Sequence, residues 1–544
     1  MIKSKYLRIT AIIALVSIFG SCSDEFLELE NPNRVTDENL KSPSGIRQLE
    51  IGMYTRLADN YNYFWQLYMS HLPGEYEMKE TTGEGPYHQE VWNLNIKPTN
   101  PFIGWLYSAF YASLNNANRV ISYMEDGTGT VNELPEREFN LILGSAYYIR
   151  ALNHFFLLHS WGRPFDGDDQ WGIVMQTSIV SAQTDYQKAR STPSEVYAQI
   201  EQDLINAMDR LPLTSGLTND ELGRPTRGAA TALLGKVYVF QKKYQEAVEE
   251  FELFLTENPD KQLLPYYGNN FNGTSENGPE SIFEIQFADI SPDTRWTGGG
   301  PASHYQLYVG GHGMGRDNFG IPKVMVRRED DADAIAGDIR NFDVRDIRFT
   351  ETMYSHRRAP RVYVYHGDTI YKVDSIFFAD PPIPVPRSNK HTYTPKKYIS
   401  NLVSGSNAGG VGNDVSGLNQ VVMRLAEVYM LHAEALAQIN RVGEASDFLN
   451  MVIRRARGYY LDEVCPYDFK GSSLDDFMTL LMEEKRKEFI GEQIRWYDVI
   501  RWGIAESEME RNPERVAWVE KAACFPIPIR EIANNPMIVQ NPGY

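Results

Sequence analysis

A helix-pair repeat, marked by small residues at fixed spacing, constrains the fold of this chain more than any other feature. Leu234-Gly235-x-x-Tyr238, then Ala247-x-x-x-Phe251, then Pro259 put small residues where two helices must approach and rings where the seam must be filled. A degenerate copy follows at Tyr429, Ala433, Ala445, Leu449 and Val452. Leu143-Gly144-x-x-Tyr147 offers a third first helix, with its partner displaced by an insertion to 196–211. Such a unit cannot bury its apolar face alone, so several copies predict a stack of helices.

The spacing is that of the tetratricopeptide (TPR) unit, with Thr231 in place of the leading Trp. Ile46, Leu49, Met53 and Leu57 form one face of a helix starting near Pro43. Thr192-Pro193-Ser194-Glu195 has the form of a capping box, and the apolar stripe Val196, Ile200, Leu204, Ala207 and Leu211 runs from it to Pro212. Pro135 opens another long helix, through Leu158. Between 262 and 420 this periodicity lapses into Gly and Pro clusters with short β-rich runs, among them 281–287 and 361–365. The predicted class is mainly α: a TPR-like helical-pair scaffold carrying long loops and small β-hairpins. Its parts are a helical region 41–261, a loop-rich insert 262–420 and a C-terminal helical region with a Pro-rich tail 421–544, together one compact unit.

Charge narrows the function. With 53 basic and 72 acidic residues the net charge is −19, so a nucleic-acid backbone or an anionic lipid surface would be repelled. There is no Cys-x-x-Cys, His-Glu-x-x-His, P-loop or Gly-x-Ser-x-Gly elbow, so no metal, cofactor or catalytic nucleophile is assigned. Cys465 and Cys524 are either a pair or two free thiols. Aromatic residues reach 12%, with 32 Tyr and 9 Trp, more than a core of this size needs.

The N-terminus reads as a secretion signal over 1–21. Lys3, Lys5 and Arg8 precede an apolar run from Ile9 to Gly20, too short to span a bilayer. Phe19-Gly20-Ser21-Cys22 resembles a bacterial lipobox, with Phe19 in place of the usual Leu, and makes Cys22 the acylated residue of a tether over 22–40. Ser23-Asp24-Glu25 looks like the acidic tag that exports lipoproteins of Bacteroidetes-type bacteria to the cell surface. Acyl chains on Cys22 would hold the protein to a membrane without a spanning helix.

Three C-terminal stretches resemble the SusD/RagB family of surface glycan-binding lipoproteins. They are Arg424-Leu425-Ala426-Glu427-Val428-Tyr429-Met430, then Glu484-Lys485-Arg486-Lys487-Glu488-Phe489 with Glu492-Gln493-Ile494-Arg495-Trp496-Tyr497-Asp498, and the terminus from Phe525-Pro526-Ile527-Pro528 to Asn541-Pro542-Gly543-Tyr544. The resemblance implies a lipid-anchored, surface-exposed outer-membrane protein that sits as a lid on a SusC-like TonB-dependent transporter. It would capture oligosaccharide and deliver it without chemistry. Uptake of a non-glycan nutrient such as peptides, or a surface glycan-active enzyme, are the alternatives. The charges of Glu484, Arg486, Glu488, Arg495, Asp498 and Arg501 alternate in sign, which predicts mutual ion pairing rather than catalysis.

A sugar presents C–H faces for stacking on rings and hydroxyls for hydrogen bonds, so a binder needs exposed aromatics beside amides and charged donors. Three stretches supply the mixture: Tyr63 and Trp65 after the first helix; Tyr87, Trp92 and Asn95 in what reads as a Gly- and Pro-flanked loop; and Arg295, Trp296 and Tyr305 in the glycine-rich region. By their place in the chain, the second and third resemble family segments that contribute to glycan binding. Trp105 and Tyr111, on a helix with Asn115 and Asn118, read as core, and His432 as a packed side chain.

Overall fold

The structure is a computed structural model. It describes residues 37–58, 77–78, 85–165, 171–287, 319–322, 338, 340–343, 345–354, 361–365, 368–372, 392–395, 397–398, 417–492, 494–511 and 516–544. Cys22, Tyr63, Trp65, Arg295, Trp296 and Tyr305 lie outside the described residues.

Helices dominate: α1 (Pro43–Leu57), α2 (Gly85–Trp92), α3 (Pro101–Glu125), α4 (Glu136–Trp161), α5 (Pro193–Met208), α6 (Arg227–Phe240), α7 (Tyr244–Glu257), α8 (Leu425–Gln438), α9 (Val442–Ala456), α10 (Leu474–Phe489), α11 (Arg495–Arg501) and α12 (Ile529–Asn534). They stack in chain order, α1 on α3, α3 on α4, α4 on α5, α5 on α6 and α7 on α8, so all three sequence-derived pairs are present as packed neighbours. The α6/α7 and α8/α9 turns are built alike. Lys242 and Asn440 adopt φ of 61° and 64°, and the amides of Lys243 and Arg441 donate to Tyr238 O and Leu436 O at 2.9 and 2.8 Å. Only one residue per turn enters the left-handed region, where Asn is tolerated and Lys is uncommon. Gly235 faces Phe251 so closely that a Cβ there would lie 2.6 Å from the ring.

The ends of the helices follow from local chemistry. Thr192 Oγ1 accepts from Glu195 N at 3.2 Å while Thr192 N donates to Glu195 Oε2 at 2.8 Å, satisfying two otherwise orphaned donors of α5. α4 is apolar enough to cross a membrane, yet its apolar stretch is buried in the protein, as befits the central core helix.

Short strands accompany these helices, along with a few single helical turns. In chain order the strands are β1 (Glu77–Met78), β2 (Ser281–Ile285), β3 (Phe319–Pro322), β4 (Met353–Tyr354), β5 (Arg361–Tyr365), β6 (Asp368–Lys372), β7 (Thr392–Pro395) and β8 (Gln420–Arg424). All pair antiparallel. β1-β3-β7-β4 form one sheet, β5-β6 a hairpin with Arg361 opposite Lys372, and β2-β8 a ribbon that brings Ser281 opposite Arg424. β2 and β5 are the two runs expected from sequence.

Behind that ribbon lies a buried ionic lattice. Arg424 donates to Glu280 at 2.8 Å, Glu488 at 2.6 Å and Glu492 at 2.7 Å; Arg455 meets Glu280 and Glu488; Lys397 reaches Glu492 at 2.6 Å. Arg501 bridges Glu434 and Asp498 at 2.5 and 2.7 Å, and Arg495 meets Glu508 at 2.8 Å. Pairing is what keeps so many charges tolerable out of water. Burial works to raise the Glu488 carboxyl, but the guanidiniums of Arg455, Arg424 and Arg348 outweigh it and hold the group down to about 2. These carboxylates are structural. Cys465 and Cys524 are both buried and are not joined in a disulfide, and His432 packs between the Phe251 and Phe448 rings.

Candidate functional site: an aromatic surface where α2 meets α3

Tyr87, Trp92 and Asn95 were expected in a loop; Asn95 is in one, but Tyr87 and Trp92 stand on a helix, α2, over Gly85–Trp92. Pro86 occupies an early helical position, where its missing N–H is not needed, and so opens the helix rather than flanking a loop. Asn100 then locks α2 to α3. Its Oδ1 accepts from Phe102 N at 3.0 Å as the N-cap of α3, while its Nδ2 donates to Tyr87 O and Glu90 Oε2, both at 3.0 Å.

Phe102 is the buried keystone of this junction. Tyr87 meets it edge-on at 5.9 Å, Trp105 edge-on at 5.4 Å, and the His88 ring stacks on it at 4.7 Å. Burial drives the His88 imidazole down to about 3, so it is a neutral slab. Tyr87 and Trp105 remain 40% and 43% exposed, two braced rings open to solvent. Trp105 therefore departs from the expected core position: α3 packs on α1 and α4 with other faces, which leaves Trp105 pointing outward. Tyr111 is half-buried and donates from Oη to Val174 O at 2.9 Å.

Trp92 is half-buried and Asn95 exposed. Between them Leu94 holds a φ of 51° and is buried against a cluster containing Trp496, Val499 and Ala522. A non-glycine residue in that region costs on the order of 1 kcal/mol, sustained here by the packing of its side chain. Asn95 Oδ1 accepts from Lys521 Nζ at 3.0 Å, and that ammonium lies 5.1 Å from the Tyr544 ring centroid. The sequence-derived set thus splits. Tyr87 stands with Trp105 at the Phe102 junction, Asn95 stands with Lys521 and Tyr544, and Trp92 ends α2 between them in sequence; Trp105, Lys521 and Tyr544 were not among the residues expected. Glu90 is engaged by Lys97 at 3.1 Å as well as by Asn100. The surface offers ring faces, an amide and an ammonium, a set suited to stacking and hydrogen bonding.

The family model described as the SusD family matches residues 279–544, and the one described as starch-binding associating with outer membrane matches 25–239. The chain belongs to the SusD/RagB family. Among relatives of this SusD/RagB chain is SusD-like protein P25 of Formosa agariphila, 24% identical, with 99% of this chain and all of the relative aligned. Similar solved structures include a laminarin binding SusD-like protein (21% identity, TM-score 0.68, covering 92% of this chain and 100% of that one). Another is surface glycan-binding protein A from Bacteroides fluxus (19% identity, TM-score 0.69, covering 92% and 100%). At such identities the structural likeness carries the fold, which is the SusD fold.

Proposed function

We propose that this protein binds oligosaccharide or polysaccharide fragments at the cell surface without altering them. In this reading it passes them to a SusC-like TonB-dependent barrel in the outer membrane, where acylated Cys22 anchors it. The carrying observation is the pair of half-exposed rings, Tyr87 and Trp105, braced on Phe102. Flat rings stack on sugar C–H faces, while Asn95 and Lys521 supply donors for hydroxyls. The description of the N-terminal family model and the glycan-binding names of two structural relatives support the same reading. Tyr63, Trp65, Arg295, Trp296 and Tyr305 complete the proposed ligand set.

Calorimetry of the full chain in detergent against a glycan panel tests it. At least one glycan binds, and Trp105→Ala weakens it by about tenfold or more, the loss of one stacked ring. No binding by any glycan, with the barrel complex still forming, would point to a lid for peptides or another nutrient.

A further inference from the structure

Farther along α3, on a face neighbouring that of Trp105, a second recess opens. Tyr107, Tyr111 and Asn115 form one wall, Gln176 and Tyr186 another, and the C-terminal segment from Glu531 to Ile538 the third. Its volume of about 420 Å³ lies within the range of small-ligand sites. The walls are fixed by side chains bonded to backbone. Asn535 Nδ2 donates to Tyr186 O at 3.0 Å and Lys188 O at 2.8 Å, Asn118 Nδ2 donates to Gln176 O at 3.1 Å, and Asn115 Oδ1 accepts from Val180 N at 2.9 Å. The recess is thus held open in advance, which lowers the ordering cost of binding.

One group inside it stands unanswered. Among the described residues the half-buried Glu531 carboxylate has no ion pair and no side-chain hydrogen bond, whereas Glu50, Glu427, Glu434, Glu488 and Asp498 are each met by a cation. Burial alone acts on it and pushes its carboxyl upward. Lys188, a nearby cation, is directed to Gln176 Oε1 at 3.3 Å. A carboxylate withdrawn from water gains most from a charged donor that also displaces solvent. Tyrosine rings beside it favour a cation as well.

We infer that this recess binds a small polar molecule through a protonated amine, received by the Glu531 carboxylate between the tyrosine rings, with ligand hydroxyl or carbonyl groups on the amides of Asn115 and Gln176. The site is independent of glycan stacking at Tyr87 and Trp105. An amino sugar and an amino-acid derivative share the required ammonium.

Calorimetry of the full chain in detergent at pH 7 decides among them, using glucosamine, N-acetylglucosamine and glycinamide as probes. Glucosamine binds, and N-acetylglucosamine, whose nitrogen carries no charge, binds about tenfold more weakly or not at all. Glycinamide binding as well would place recognition in the ammonium alone; its failure would add the sugar hydroxyls. Glu531→Gln, nearly isosteric, loses about tenfold or more in glucosamine affinity, and Glu531→Lys, which brings its own ammonium, abolishes binding. Equal affinity for the charged and acetylated sugars, no binding of either amine, or an unaffected Glu531→Gln protein overturns the inference. None of these results bears on whether polymeric glycans stack at α2 and α3.

Discussion

Substituting Gly235 by alanine should destabilise the α6/α7 pair even though alanine is the better helix former. The new Cβ would stand 2.6, 2.9 and 2.9 Å from three carbons of the fully buried Phe251 ring, well inside van der Waals contact. Overpacking of this kind costs about 1–3 kcal/mol. Replacing a helical glycine by alanine returns about 1 kcal/mol. The net expectation is a loss of up to about 2 kcal/mol. The second repeat supplies the control, because it carries Ala433 where the first has Gly235 and Leu449 where the first has Phe251. Copying it, Gly235→Ala with Phe251→Leu removes the clash, so the double variant should be more stable than the two single changes summed, by about 1–2 kcal/mol of coupling. Urea unfolding of wild type, both singles and the double closes the cycle, with hydrogen exchange over 227–257 locating the effect. A Gly235→Ala protein with a raised midpoint, or a strictly additive double, would refute the packing argument.

Glu50 gives a pH test: burial pushes its carboxyl up to about 7, against the opposing pull of Arg224 at 3.0 Å. A carboxyl raised on folding binds its proton more tightly in the native state, so its stabilising contribution is full below the unfolded value near 4.5 and is lost as pH rises through about 7. Glu50→Gln should therefore show a smaller fall in unfolding free energy between pH 5 and pH 8 than wild type. Glu488 runs the opposite way: held down to about 2, it stabilises above its unfolded value and loses that contribution as pH falls toward about 2. Glu488→Gln leaves Arg424 and Arg455 short of a counter-charge and should cost about 3–5 kcal/mol in urea unfolding at neutral pH. Leu94→Ala keeps the left-handed backbone while removing its anchor, with a loss of about 2–5 kcal/mol and faster exchange of the 93–96 amides as the readout. Cys465 and Cys524 should resist a thiol reagent in the native protein and react after unfolding without reductant; a requirement for reductant would show a disulfide.

How far the sequence could be read depended on whether a signal was local. The capping box at Thr192 and the paired helices at 228–261 and 429–452 rest on contacts between residues near in sequence, and they appear as written. The alternating charges of 484–501 announced ion pairing, yet the partners Glu280, Arg424 and Arg455 come from other elements and could not be named beforehand. The Gly-Pro step at 85–86 is ambiguous because the same dipeptide ends one structure and begins another. Trp105 was misplaced for a different reason: a helix displays its apolar face in its sequence, but which ring stays in water depends on the neighbours that arrive from 43–57 and 136–161. Glu531 carried no signal, since an unpaired carboxylate differs from a paired one only by what surrounds it.

The final residues tie back across most of the chain. Phe525 N donates to Ser160 O at 2.7 Å, Asn541 Nδ2 to Trp161 O at 2.9 Å, and Arg190 Nη1 to Asn541 Oδ1 at 2.7 Å. Ribosomes deliver the long central helix hundreds of residues before the segment that seals its end. Until then Arg190 alone reaches the Trp161 carbonyl, at 3.2 Å, and the Ser160 carbonyl lacks its Phe525 donor. The seam makes the end of that helix depend on residues that lie more than three hundred and fifty positions later in the chain.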